Sequence, residues 1–135
     1  MLLADTSGLL ALLDRGEPEH ASVTSAVEAD DGPIVVLDFA LAELDYLVLT
    51  RLGPKAELGL LEQLTEGVFV REPVTEADLR RAAAIGRRYR EHALGLTDTA
   101  QMAVAERLGC PVLTLDRRHF ELFRDKKGRP LTLLP

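Results

Sequence analysis

Four acidic residues stand at positions from which an α/β fold can bring them together: Asp5, Glu43, Asp98 and Asp116. Asp5 and Asp116 each follow a short apolar run, whereas Glu43 and Asp98 lie in stretches with helical character. Carboxylates gathered in one crevice repel each other, by ~4 kcal/mol for two charges ~4 Å apart at an effective dielectric constant of about 20. A hard divalent cation, Mg²⁺ or Mn²⁺, relieves this repulsion because such ions prefer oxygen ligands.

This donor set indicates metal-assisted hydrolysis of a phosphodiester, since divalent cations activate water and stabilise a leaving oxygen. Each acid also has a simpler interpretation. Asp5 could only cap a helix, Glu43 could lie on a solvated helix face, Asp98 could complement a helix dipole, and Asp116 could be a turn residue. The four together favour the metal site more strongly than any one of them does.

Short apolar runs alternate with longer helical stretches along the chain. The predicted strands cover Leu2–Asp5, Ile34–Leu37, Val68–Pro73, Pro111–Asp116 and Leu131–Leu134. The first predicted helix is capped by Ser7 and carries Leu9–Leu13, and another begins with a capping box at Thr75–Asp78 and runs to His92. The other predicted helices cover Pro18–Ala29, Phe39–Leu52, Pro54–Glu66, Thr97–Leu108 and Arg118–Arg124. The strands are continuously apolar, which is typical of a parallel sheet covered on both faces. Such sheets carry their sites at the carboxyl ends of the strands, where Asp5 and Asp116 stand.

Length and composition set further bounds. The 135 residues predict one domain, 1–135, with an aliphatic core, since 47% of residues are hydrophobic and only 4% aromatic. The net charge of −6 is unusual for a protein that binds nucleic acid, although acids gathered at a metal site contribute to it. The single cysteine, Cys110, and the lack of a signal-peptide pattern or membrane-spanning run favour a cytoplasmic protein.

Three stretches carry a resemblance to a known family: "LLADTSGLLALLD", "DFALAELDYLV" and "LTDTAQMAVAERLGCPVLTLDRRHF". Together they resemble the PIN-domain family, and within it the VapC-type toxins of bacterial toxin–antitoxin pairs. The resemblance extends from Leu2 to about Phe123. It implies a three-layer α/β/α fold, with a central parallel sheet of four to five strands, and a Mg²⁺- or Mn²⁺-dependent ribonuclease activity on RNA.

The resemblance also implies roles and partners. Catalytic and metal-binding roles fall on Asp5, Glu43, Asp98 and Asp116, while Thr6 and Thr114 are expected to support them by hydrogen bonds. Toxins of this kind are typically homodimers that a small cognate antitoxin neutralises. A surplus apolar face on the stretch Phe39–Leu52 suits a dimer or antitoxin interface.

Basic residues are the remaining candidates for RNA contact. Arg117 and Arg118 directly follow Asp116, so substrate binding and a solvated helix face are equally good interpretations. For the cluster Arg80–Arg90, paired surface charges are the favoured interpretation. A structural role is also favoured for His119, because it has no His or Cys partner in the sequence pattern to form a zinc site.

Two other functions remain open at this stage. A catalytically silent domain could bind RNA or an antitoxin without cleaving RNA. A phosphatase or phosphoacceptor could use Asp5 as nucleophile, but haloacid-dehalogenase-like enzymes require a second Asp at the position of Ser7.

Overall fold

A computed structural model describes residues Met1–Pro135 as an α/β/α sandwich around a five-stranded, fully parallel sheet. The strands are β1 (Leu2–Ala4), β2 (Ile34–Val36), β3 (Val70–Arg71), β4 (Val112–Leu113) and β5 (Leu133–Leu134). Their order across the sheet is β3-β2-β1-β4-β5, so β1 lies at the centre. Leu3 is in register with Val35 of β2 on one side and with Val112 of β4 on the other. The predicted parallel α/β fold is therefore confirmed.

Seven α-helices cover the two faces of the sheet. They are α1 (Thr6–Leu13), α2 (His20–Glu28), α3 (Asp38–Leu52), α4 (Pro54–Thr65), α5 (Glu76–Arg88), α6 (Leu96–Leu108) and α7 (Arg117–Phe120). One buried cluster joins the sheet to α5, α6 and α7 through residues such as Ile85, Met102 and Phe120. A second cluster joins the opposite face to α1–α4 through residues such as Leu9, Leu44 and Leu60. Burial on both faces explains why the three inner strands, β2, β1 and β4, are apolar throughout, whereas the edge strand β3 is exposed.

The end of β1 is drawn close to β4 by a glycine in α1. A Cβ on Gly8 would lie 2.6 Å from the carbonyl oxygen of Leu113, far inside van der Waals contact. Only glycine therefore lets α1 pack this tightly against the end of β4. The contact holds Asp5 beside the residues that follow Leu113, since the Asp5 amide donates to the Leu113 carbonyl at 2.9 Å.

Several predicted boundaries were too wide. The predicted strand Val68–Pro73 narrows to Val70–Arg71, and Pro111–Asp116 narrows to Val112–Leu113, because the flanking residues make no ladder pairs. Helix α1 begins at Thr6, so Ser7 lies inside it rather than at its cap. The long helix to His92 instead ends at Arg88 and continues as a short 3₁₀ turn. The predicted capping box at Thr75–Asp78 is confirmed.

Candidate active site

Asp5 follows β1 and is 94% buried by its neighbours, with only 6% of its surface exposed. Its Oδ2 accepts hydrogen bonds from Ser7 Oγ at 2.8 Å and Thr114 Oγ1 at 2.9 Å, and its Oδ1 accepts one from Gln101 Nε2 at 2.9 Å. Although Asp5 occupies the N-cap position of α1, its side chain caps no backbone amide. Three donors on one carboxylate compensate the ionised form for its loss of water. The helix-capping interpretation of Asp5 is therefore wrong.

Glu43 lies in α3, the helix that follows β2 in the chain. Its Oε2 accepts a hydrogen bond from Thr6 Oγ1 at 2.9 Å, and its Oε1 accepts one from Thr97 Oγ1 at 3.0 Å. Although Glu43 is exposed, these bonds tie it to the start of α1 and the start of α6. It is thus anchored between elements rather than free on a solvated helix face.

Asp98 lies in the first turn of α6, where its Oδ2 is 2.6 Å from Nδ1 of His119. Burial raises the pKa of Asp98, and contact with His119 opposes that rise. The charges of Asp5 and Asp116 add to the rise, and the pKa ends above its usual value. Asp98 therefore lies close enough to Asp5 and Asp116 for their negative charges to affect its pKa. The sequence favoured a structural role for His119, and its imidazole contacts Asp98, one of the four candidate acids.

Asp116 lies at the N-terminus of α7 and is exposed. Its backbone amide donates to Ser7 Oγ at 3.3 Å and to Thr114 Oγ1 at 3.1 Å, the same hydroxyls that donate to Asp5. Its carboxylate makes no hydrogen bond or ion pair within the chain. Ser7 and Thr114 thus fix the positions of Asp5 and Asp116 relative to each other.

All four predicted acids line one cleft of about 310 Å³ at the carboxyl ends of β1 and β4. The remaining lining residues are Thr6, Ser7, Leu10, Glu17, Leu47, Arg51 and Leu115. The lining contains five carboxylates and a single cationic side chain. A separate cavity of about 420 Å³ lies near the other end of α6, where its ionic residues include the paired Arg81–Glu106 and Arg107–Asp78. The acidic cleft is the better candidate for chemistry because its carboxylates have few cations to neutralise them.

The donor set of the cleft fits a hard divalent cation, since its ligating atoms are carboxylate and hydroxyl oxygens. Burial is the main cause of the raised pKa of Asp98, and the charges of Asp5 and Asp116 add to it. The acids do not form a ready-made cage, because no three His, Cys, Asp or Glu side chains are grouped closely enough to hold an ion. Asp5, Glu43 and Asp98 are instead held by hydrogen bonds to protein groups.

Sequence reasoning missed several residues of this site. Gln101 is fully buried in α6, one helical turn after Asp98. The sequence signal that could have identified it is an amide three residues after a candidate acid. Glu17 and Arg51 line the cleft without any sequence pattern that marks them. Thr6 and Thr114 donate to acids of the site, as expected. Arg117 and Arg118 are exposed on α7 outside the cleft lining, and Arg117 pairs with Glu121 at 3.1 Å.

Comparison with known proteins decides the family. The family profile described as "PIN domain" matches residues 2–126. The chain belongs to the PIN-domain family. It is also 38% identical over 135 residues to "Ribonuclease VapC26" of Mycobacterium tuberculosis (strain ATCC 25618 / H37Rv), which covers 99% of this chain and 100% of that protein. The resemblance found in the sequence is thereby confirmed.

Solved structures show the same PIN-domain fold. VapC20 of Mycobacterium tuberculosis, described as a sarcin-ricin loop cleaving toxin, superposes with a TM-score of 0.77 at 20% identity, over 88% of this chain and 92% of that one. FitAcB of Neisseria gonorrhoeae gives 0.74 at 20% identity, over 100% and 97%. DNA-bound VapBC of Salmonella typhimurium gives 0.72 at 18% identity, over 98% and 97%. No helix of this chain is long and apolar enough to span a bilayer.

Proposed function

We propose that this PIN domain is the toxin of a toxin–antitoxin pair and acts as an endoribonuclease that requires Mg²⁺ or Mn²⁺. The observation that carries the proposal is the shared cleft of Asp5, Glu43, Asp98 and Asp116. The ribonuclease name of the 38% identical relative supports RNA as the substrate. A cytoplasmic location agrees with this substrate and stays a prediction.

Asp5, Glu43, Asp98 and Asp116 are the residues that would hold the cation. When bound, a divalent cation lowers the pKa of water and stabilises negative charge on a phosphoryl oxygen. The cleft also needs the positive charge for binding, because five carboxylates repel an RNA phosphate. We therefore expect RNA binding and cleavage to depend on the same ion.

The chain's own residues divide the remaining work. Asp5 is fixed by three donors, so it is suited to holding an ion in place. Asp116 is exposed and has no partner on its carboxylate, so it is suited to accept the proton of the attacking water. In that step the water oxygen bonds to phosphorus, one P–O ester bond breaks, and the departing oxygen takes up a proton from solvent.

An Asp-dependent phosphatase is a poorer explanation of this site. Both Asp5 oxygens already accept hydrogen bonds from Ser7, Gln101 and Thr114. Ser7, which stands where such enzymes require an acid, orients Asp5 by hydrogen bonding.

The test uses purified protein, labelled structured RNA, and Mg²⁺, Mn²⁺ or EDTA. We expect the wild type to cleave with either metal and not with EDTA, and Asp116→Asn to lose at least 100-fold in kcat. Asp31→Asn is the matched control, because Asp31 is exposed and lies outside the cleft. Metal binding by calorimetry without cleavage would favour the catalytically silent alternative.

Substrate contacts by Arg117 and Arg118 are part of the proposal. Both lie on the short helix that begins directly after Asp116, so RNA leaving the cleft on this side would meet them. Charge-removing substitutions there should raise KM and leave kcat nearly unchanged. Equal KM values for the double variant and the wild type would show that neither residue contacts the substrate.

An antitoxin and a second copy of the chain are the proposed protein partners. Large apolar side chains are exposed on α3 and α4: Tyr46, Leu49, Leu52, Leu58 and Leu61. Relatives include a toxin–antitoxin complex from Klebsiella pneumoniae, which supports an antitoxin partner. Light scattering of the isolated chain and of its co-expressed complex would measure both states.

A further inference from the structure

We propose that Arg51 binds an RNA backbone phosphate beside the scissile one, and that Glu17 holds its guanidinium in the free protein. This inference rests on the proposed function, since it assigns a substrate contact to the same cleft. Arg51 is the only cationic residue lining that cleft. Glu17 lines it too and is the only ion-pair partner of Arg51.

The position of Arg51 follows from the geometry of α3. Glu43, Leu47 and Arg51 are spaced four residues apart and line the cleft as one stripe of the helix. With a rise of about 1.5 Å per residue, Arg51 lies ~12 Å along the axis from Glu43. An RNA strand with its scissile phosphate at the acids would therefore place a flanking phosphate near Arg51.

The ion pair between Arg51 and Glu17 is weak. Its single contact joins Nη1 to Oε1 at 3.6 Å, beyond a good hydrogen bond, and the side chains are 55% and 30% exposed. Arg81, in contrast, holds Glu106 through two hydrogen bonds of 2.6 and 2.9 Å. Arg51 thus keeps its donors available, and a phosphate can replace Glu17 at little cost.

Charge explains why this arrangement suits an RNA-binding cleft. The acids that serve the reaction repel every phosphate not neutralised by the divalent cation. A guanidinium two turns away offers bidentate hydrogen bonds to a flanking phosphate without contacting the reacting atoms. Glu17 competes for that guanidinium, so its removal should strengthen RNA binding.

The test compares Arg51→Gln, Glu17→Gln and the double variant by steady-state cleavage of a labelled single-stranded RNA in Mg²⁺. We expect Arg51→Gln to raise KM about tenfold, with kcat within about twofold. The dependence of log KM on log salt should become shallower by about 0.7, the value for one phosphate contact to a single strand. Glu17→Gln should lower KM about threefold, and this gain should vanish in the Arg51→Gln background.

Arg80→Gln is the matched control, because Arg80 forms an exposed pair with Glu76 on α5, outside the cleft. Circular dichroism should show all variants folded, since exposed ion pairs contribute about 0–1 kcal/mol. A KM unchanged in Arg51→Gln, or an equal Glu17→Gln effect in both backgrounds, overturns the inference alone. A wild type that cleaves no RNA under any metal condition overturns the proposed function as well.

Discussion

Gln101 Nε2 donates a 2.9 Å hydrogen bond to Asp5 Oδ1, linking the middle of α6 to the end of β1. The Gln101 side chain is completely buried, and its Oε1 has no hydrogen-bond partner. The amide turns its nitrogen toward a carboxylate oxygen, which accepts the hydrogen bond, and its own oxygen has no partner within the chain. Gln101 thus helps to orient the Asp5 carboxylate from the middle of α6.

We predict that Gln101→Met weakens Mn²⁺ binding about tenfold, because it keeps the side-chain volume and removes one donor from Asp5. Isothermal titration calorimetry measures the affinity independently of cleavage. Gln63→Met on α4 is the matched control, since Gln63 lies away from the acids. Unchanged Mn²⁺ affinity in Gln101→Met would show that Asp5 needs only Ser7 and Thr114.

Thr114→Val should lower the free energy of unfolding by about 1–3 kcal/mol, because it removes a buried donor to Asp5 and an acceptor for the Asp116 amide. Thr24→Val offers the opposite case, since the buried Thr24 hydroxyl has no partner to lose. It should be neutral or stabilising. Urea denaturation measures both, and equal destabilisation by the two variants would contradict the role of the Thr114 hydroxyl.

The sheet and the placement of two acids, Asp5 and Asp116, could be predicted because both follow from local patterns in the sequence. Apolar runs mark β1 and β4. Asp5 directly follows β1 and Asp116 comes three residues after β4, so both lie at the carboxyl edge of the parallel sheet. The link between Asp98 and His119 was not predictable, because it depends on how α6 packs beside α7. The pairing of Arg51 with Glu17 likewise depends on the packing of α3, and no sequence spacing encodes it.

Gly8→Ala should destabilise the fold and reduce activity together. The added Cβ would lie 2.6 Å from the Leu113 carbonyl oxygen, so α1 must move away from β4 and carry Ser7 with it. Gly86→Ala is the control, because nothing lies within 4 Å of its added Cβ in the last turn of α5. That change should raise the free energy of unfolding by up to about 1 kcal/mol. Thermal unfolding and RNA cleavage of both variants check the prediction.

The stability of the chain should fall in acid, partly through Asp78, which is 4% exposed on its side chain. Burial raises the pKa of Asp78, but hydrogen bonds from Arg107 and Thr75 outweigh it and leave the pKa below its usual value. A lowered pKa stabilises the fold above the unfolded value of about 3.9, and this stabilisation is lost as pH falls through the folded value. Asp78→Asn should therefore flatten the pH dependence of urea unfolding below about pH 4. An unchanged slope would assign acid sensitivity to other carboxylates.

Asp98→Asn should raise the melting temperature in EDTA by about 2–5 °C while abolishing cleavage. The reason is that burial, together with the nearby charges of Asp5 and Asp116, disfavours the ionised form of Asp98 and raises its pKa. An amide removes that repulsion, and its oxygen can still accept a hydrogen bond from His119. Adding Mg²⁺ should stabilise the wild type more than the variant, since the ion neutralises the same charges. Asp31→Asn should change the melting temperature neither in EDTA nor in Mg²⁺. A lower melting temperature for Asp98→Asn in EDTA would mean that the contact of Asp98 with His119 outweighs repulsion among the acids.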